Sequence, residues 1–296
     1  VDGCIGSVKD HIENELKQLE NKINYTINEV NRDGSTSIIC SIKDGKFFSD
    51  KSSNSFKTLK MVVSNALGNY IISQYEDKLI ARIINSNYCY FNSAEKKEIL
   101  AKALDIISNE DKKLYSSLFQ IRRRNIIIRK LKDYFDNSNS LILEGFINFR
   151  LKEYMKDLEE IVDKAVDDFL MEREYREFIR LLRYFVDIQN PKFEIIHVIA
   201  GYDGKYVLFD ETGREITNEC IQEFVNEISE GEINYDDLLV SSLITFAPRK
   251  IMMHCKGQMR NKELFETIKN VFSGRVYICN GCEICIVNMV KTENKN

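Results

Sequence analysis

Lys250-Ile251-Met252-Met253-His254-Cys255, then the helical run Lys262 to Phe272, then Arg275-Val276-Tyr277-Ile278-Cys279 set the architecture of the C-terminal third. The outer segments read as strands. The amphipathic segment between them reads as a helix ended by Gly274, a residue suited to the left-handed turn after a helix. A strand–helix–strand unit this short makes a parallel, right-handed crossover. Both strands then finish at the same edge of a sheet, where open α/β folds place their sites.

Three cysteines follow at that edge with a spacing of three, Cys279-Asn280-Gly281-Cys282-Glu283-Ile284-Cys285. Gly281 permits the positive φ of a tight thiolate-bearing turn and stops the strand from running on. Thiols at this spacing can converge on one metal ion, and the crossover supplies a fourth from the preceding strand end. Cys255, Cys279, Cys282 and Cys285 together suit tetrahedral zinc or an iron–sulfur cluster. Because neighbours on a strand face opposite sides, His254 is the substitute ligand should Cys255 point away. Zinc is the first expectation and a cluster the alternative. The distal Cys-Pro of bacterial ferredoxins is missing, which disfavours electron transfer. Redox thiols and simple packing without any metal compete with both readings, since cysteine is also a small buried hydrophobe. Cys4, Cys40, Cys89 and Cys220 are read as packing residues of that kind.

Upstream, the pattern changes at Asn190-Pro191. Phe193 to Ala200 and Tyr206 to Phe209 read as strands joined through Tyr202-Asp203-Gly204, with helices expected over Glu219 to Ile228 and Tyr235 to Ile244. From Phe56 to Gln189 the periodicity is helical almost throughout, with turns near Asn85 to Asn92, Ser108 to Asp111 and Asp136 to Ser140. Ser93 is the expected cap of one helix, without a full capping box, and Leu100, Leu104 and Ile107 mark its buried face. Leu114, Leu118, Ile121, Ile128, Leu131 and Phe135 form the stripe of the next. Nearer the start, Val8, Ile12, Leu16 and Leu19 predict an amphipathic helix after Ser7. A hairpin turning at Asp33-Gly34 follows, with Ile23, Tyr25 and Ile27 before the turn and Ile38, Cys40 and Ile42 after it alternating with other residues. Ser49 to Ser55 reads as a loop. The expected fold is α+β: an N-terminal helix and β-hairpin (1–55), a helical central region (56–190) and a small C-terminal α/β module (191–296).

A chain of 296 residues has length for about two domains, and only two prolines interrupt it, which favours long helices. The formal net charge of −4 excludes a wholly basic nucleic-acid coat protein. Eight scattered cysteines are too sparse for a secreted disulfide scaffold, so a reducing cytoplasm is the expected location. No stretch approaches the ~18 apolar residues that span a bilayer, and no charged leader precedes an apolar run. Val1 in place of Met leaves a preceding segment open.

Two basic faces are candidates for anions. Arg122, Arg123 and Arg129 fall off the apolar stripe of one helix, and Arg173, Arg176, Arg180 and Arg183 line one side of another. Such faces can hold phosphates of nucleic acid or of a lipid surface. The simpler reading pairs them with nearby acids such as Glu172 and Glu177. Lys256-Gly257 and Arg260 precede a helix whose free N–H groups suit an anion. His197 shares a strand face with Phe193, Ile195 and Ile199 and reads as a core histidine, and His11 as a surface residue. Asp167-Asp168 and Asp236-Asp237 are adjacent rather than on one face, poor geometry for acid–base work. With no nucleotide loop, nucleophile elbow or zinc-protease helix, no catalytic residue is named, and a factor is favoured over an enzyme.

The run Gly145-Phe146-Ile147-Asn148-Phe149-Arg150-Leu151-Lys152-Glu153-Tyr154, then Ile161 to Asp167, then Phe169 through Arg173, Arg176, Arg180 and Arg183 to Val186, resembles the YtxC-like sporulation proteins of endospore-forming bacteria. The likeness continues through Ala247-Pro248-Arg249-Lys250-Ile251 and Ile268-Lys269-Asn270-Val271-Phe272 to the terminal cysteines. The resemblance implies a cytoplasmic, sporulation-associated protein of unknown biochemical activity, and it carries no catalytic residue over. Joined to the residue reading, it gives the expectation of a structural or regulatory factor with a cysteine metal site and a protein partner. The alternatives are an iron–sulfur or thiol-dependent redox protein or enzyme, and a binder of nucleic acid or membrane surfaces through basic helix faces.

Overall fold

A computed structural model describes residues 5–17, 25–32, 35–42, 50–110, 116–201, 204–217, 234–255, 257, 259, 261–283 and 285. Among these residues lie eight helices and two small sheets, so the chain is α+β. It divides into two compact units, Val1–Met171 and Glu172–Asn296.

The first unit is helical with one hairpin. Helix α1 (Ile5–Lys17) buries Ile12 and Leu16, and it starts before Ser7 rather than after it. Strands β1 (Tyr25–Arg32) and β2 (Ser35–Ile42) pair antiparallel with Tyr25 opposite Ile42 and Ile27 opposite Cys40. That register puts Tyr25, Ile27, Ile38, Cys40 and Ile42 against the helical core, as period-two alternation requires. The expected turn at Asp33-Gly34, Leu19, Ile23 and the expected helix over Glu219 to Ile228 lie outside the described residues, as do Cys4 and Cys220.

Helix α2 (Asp50–Asn87) is longer than the sequence pattern suggests, because the Ser- and Lys-rich stretch read as a loop is helical from Asp50 onward. Serine and lysine weaken a helix only slightly, and packing of the apolar face that follows carries the helix through them. Helices α3 (Ser93–Glu110), α4 (Ser116–Asn137) and α5 (Leu143–Arg150), with the first part of α6 (Lys152–Ile188), complete the core. Asn92, not Ser93, caps α3. Its Oδ1 accepts from the N–H groups of Ala94 (2.9 Å) and Glu95 (3.0 Å), while Glu95 returns a carboxylate oxygen to the Asn92 N–H at 2.8 Å. This is the reciprocal box that counting from Ser93 misses. At Gly68 a Cβ would stand 2.9 Å from Ile128 Cγ1, so glycine lets α2 and α4 approach closely.

The second unit holds a four-stranded sheet in the order β4-β3-β5-β6, from β3 (Ile195–Ala200), β4 (Tyr206–Phe209), β5 (Lys250–His254) and β6 (Val276–Ile278). Strands β3 and β4 form an antiparallel pair, whereas β3/β5 and β5/β6 are parallel. Helices α7 (Tyr235–Phe246) and α8 (Lys262–Val271) pack with Ile179 and Val186 against Ile196, Val198, Ile251 and Met253. Each fully buried side chain of this size contributes about 1.5–3 kcal/mol. Asn234 and Asn261 cap the two helices by accepting from backbone N–H groups of their first turns. Asp236 ties this edge together, accepting from the Tyr206 hydroxyl at 2.8 Å and the Asn261 amide at 2.9 Å. With one sheet face committed to the helices, alternation sends His197, Ile199, Met252 and His254 to the other.

Candidate metal centre

The β5–α8–β6 crossover ends both parallel strands at one edge. Met253 lies opposite Ile278, and the N–H of Cys279 donates to the Met253 carbonyl at 2.9 Å, so the chain beyond β6 turns beside the end of β5. Gly281 takes φ 115, the left-handed conformation expected of it. His254, Cys279, Cys282 and Cys285 converge there, with their ligand atoms all within 4.8 Å of one another, and this group could hold a metal ion. His254 Nδ1 stands 3.4 Å from Cys282 Sγ and 3.5 Å from Cys285 Sγ. Cys285 Sγ lies 3.8 Å from Cys282 Sγ and 3.9 Å from Cys279 Sγ. His254 and Cys285 are buried, and Cys279 and Cys282 are partly exposed.

Cys255 lies beside this group in a distinct way. Its backbone is left-handed, φ 53, an uncommon state for a non-glycine residue. Together with Ile199 and Cys285 it makes a small buried cluster on the face away from the helices. Burial, with a hydrogen bond to Cys285, pushes the Cys255 thiol up to about 11. Burial also pushes on the Cys285 thiol, but hydrogen bonds from the backbone of Cys282, from His254 and from the backbone and thiol of Cys255 outweigh it and hold Cys285 down at about 6. Cys279 is raised: the Gly281 N–H favours its thiolate, but burial and the Cys282 and Cys285 thiols outweigh that bond. Donors therefore gather on one sulfur, the pattern that keeps a thiolate available to a cation.

His197 lies behind the cluster. Its Nδ1 stands 3.0 Å from His254 Nε2, with ring centroids 5.2 Å apart. Burial first, and the neighbouring His254 second, lower its pKa. Reading it as a core histidine missed this contact. The signal was that His197 and His254 both occupy the non-helical face of strands that pair with Ile199 opposite His254.

The arginines are placed differently from one another. Arg123 is buried, with Nε 3.3 Å from Glu76 Oε1, and Tyr154 donates to the same carboxylate oxygen at 3.0 Å. Arg122 stands 3.6 Å from Asp157, and Arg129 3.2 Å from Glu153. In the second stripe Arg180 donates to both Glu177 oxygens, Arg176 lies 3.9 Å from Glu172, and Arg183 donates to the Asn270 carbonyl. Arg173 is half-buried. Lys256 and Arg260 lie outside the described residues, and two of the N–H groups opening α8, those of Glu263 and Leu264, already donate to Asn261. No described helix is long and apolar enough to cross a membrane.

Comparison with known proteins matches residues 61–277 to the YtxC-like family. The chain belongs to the YtxC-like family. It is similar to "Uncharacterized protein YtxC" of Bacillus subtilis (strain 168), 28% identical over 204 residues that cover 68% of this chain and 70% of that relative. No solved structure matches the chain significantly. The family match includes His197, His254 and Cys255, and it ends at Tyr277, just before the cysteine trio.

Proposed function

We propose that this chain is a non-enzymatic, cytoplasmic factor of the sporulation programme in which one zinc ion, held by His254, Cys279, Cys282 and Cys285, fixes the segment after β6 to the sheet edge. The observation that carries the metal reading is the set of distances. Tetrahedral zinc with Zn–S bonds of ~2.3 Å and a Zn–N bond of ~2.0–2.1 Å sets sulfur pairs ~3.8 Å apart and sulfur–nitrogen pairs ~3.5 Å apart. Four of the six pairs, sulfur separations of 3.8 and 3.9 Å and nitrogen–sulfur separations of 3.4 and 3.5 Å, agree with that figure, and all six lie within 4.8 Å. An iron–sulfur cluster places metal and sulfide between its thiolates and needs them spread wider. Four protein ligands leave no open position for substrate, which supports a structural role over a catalytic one. Binding such an ion orders ligands that must be deprotonated and so adds directly to the stability of the unit. The surface so shaped would receive a protein partner. The resemblance to sporulation proteins supports the cellular setting.

Elemental analysis of anaerobically purified protein tests this reading. One zinc per chain in colourless protein, removed by chelator with a fall in the thermal midpoint, is the expected result. Visible absorbance with bound iron would establish the cluster instead. Protein that carries neither zinc nor iron and unfolds identically with and without chelator would end the metal reading altogether. For the cellular role, a strain lacking the gene should form fewer heat-resistant spores, restored by the wild-type gene and not by Cys282→Ser.

A further inference from the structure

We infer that His197 is a positioning residue of the zinc site, holding the His254 imidazole so that Nδ1, and not Nε2, meets the metal. This rests on the zinc reading above. His254 presents Nδ1 to the sulfurs of Cys282 and Cys285 at 3.4 and 3.5 Å, and its other ring nitrogen points away from them, to His197 Nδ1 at 3.0 Å. A neutral imidazole has one N–H and one lone pair. If the Nδ1 lone pair goes to zinc, the proton sits on Nε2, and it needs an acceptor because His254 is buried at 3% exposure. His197 Nδ1 is that acceptor, which leaves the His197 proton on its own Nε2. The tautomers of both rings are thereby fixed by one hydrogen bond.

The sheet explains why this partner is available. Strands β3 and β5 are parallel, with His197 opposite Met252 and Ile199 opposite His254. All four residues belong to the face away from the helices, so the two rings meet along a diagonal between adjacent strands. His197 is half-buried and lies opposite Phe209 on its other side. A partner of this kind orients the ligand and raises its basicity, and its loss typically costs 10–100-fold in metal affinity. The pairing also separates His254 from Cys255: the imidazole is braced from behind as a ligand, whereas the Cys255 thiol and backbone both engage Cys285.

The test is zinc affinity measured by competition with a chromophoric chelator, together with the ligand-field bands of the Co2+-loaded full chain. His197→Phe keeps an aromatic ring and removes the acceptor; His197→Asn restores an acceptor oxygen near the former Nδ1. Expected is a 10–100-fold loss for His197→Phe with altered cobalt bands. His197→Asn should recover most of the affinity and the wild-type bands. Equal affinity and spectrum in His197→Phe and wild type would overturn the inference. So would a His197→Asn protein as weak as His197→Phe, because restoring the acceptor would then restore nothing. Wild-type protein that takes up neither metal overturns the zinc site itself, an outcome distinct from wild type and His197→Phe binding equally well.

Discussion

Replacing His254 and Cys255 one at a time separates the last residue of β5 from the residue that follows it. Structural zinc binding contributes about 10–16 kcal/mol in small zinc domains, so an even share among four ligands is roughly 2.5–4 kcal/mol each. Loss of one share weakens binding by roughly 10²–10³-fold. With free zinc at 100 times the wild-type Kd, zinc stabilises the folded unit by about 2.7 kcal/mol. For a unit the size of Glu172–Asn296 that is about 10 °C in thermal midpoint. In His254→Ala the same zinc sits at or below Kd, and the increment falls under about 0.5 kcal/mol, or ~2 °C. In Cys255→Ser the increment should persist, because Cys255 Sγ engages Cys285 and lies outside the converging four. The assay is differential scanning calorimetry of each variant with chelator and with buffered zinc. Only the zinc-induced increment is compared, so the cost of each substitution to the metal-free protein drops out. A Cys255→Ser protein that loses the increment while His254→Ala keeps it would refute the assignment.

Arg123→Met should cost roughly 3–5 kcal/mol, because it strands the buried Glu76 carboxylate, whereas combining it with Glu76→Leu should recover much of that loss in urea unfolding. Gly68→Ala should destabilise by about 1–3 kcal/mol despite the better helix propensity of alanine, since its methyl would press on Ile128; a stabilised variant in the same urea assay would contradict the close approach. Hydrogen bonds from the Thr212 hydroxyl and from the N–H groups of Thr212 and Arg214 hold Asp210 down at about 2. An unfolded aspartate titrates near ~3.9, so this contribution is complete above that pH and is lost as pH falls toward the folded value. Asp210→Asn should therefore show a flatter stability profile than wild type across that acid window, read by circular dichroism.

The strand–helix–strand unit was legible because each of its signals is local. The strand Lys250–His254 alternates, the helix Lys262–Val271 is amphipathic, and Gly274 follows it. The convergence of the trio with the end of β5 followed from topology alone. What alternation does not carry is the left-handed backbone of Cys255, which brings that thiol to Cys285 from beyond the strand. Arg123 shows a different limit. It continues the i, i+4 row of Phe135, Leu131 and Ile127 into the core, while Ile121, assigned to the apolar stripe, is 54% exposed. Local counting treats any arginine as surface, and its burial is offset by Glu76 from α2, whose carboxylate also accepts from Tyr154 of α6, a meeting that no local pattern carries. The cap of α3 was misplaced by one residue because Asn92 and Ser93 are both good caps, and the choice depends on which lets Glu95 reach back.

The four converging side chains come from two places in the chain, and this imposes an order in time. Cys279, Cys282 and Cys285 lie within one short turn, so a nascent or unfolded chain can gather them around an ion at little entropic cost. His254 precedes them by a whole helix and joins them only after β6 has aligned with β5. Parallel pairing of this kind forms late, since its loop must close before its contacts contribute. If an ion is bound, exchange of a three-sulfur metal environment for a sulfur–nitrogen one would mark the moment at which this sheet edge is complete, a spectroscopic clock for its closure.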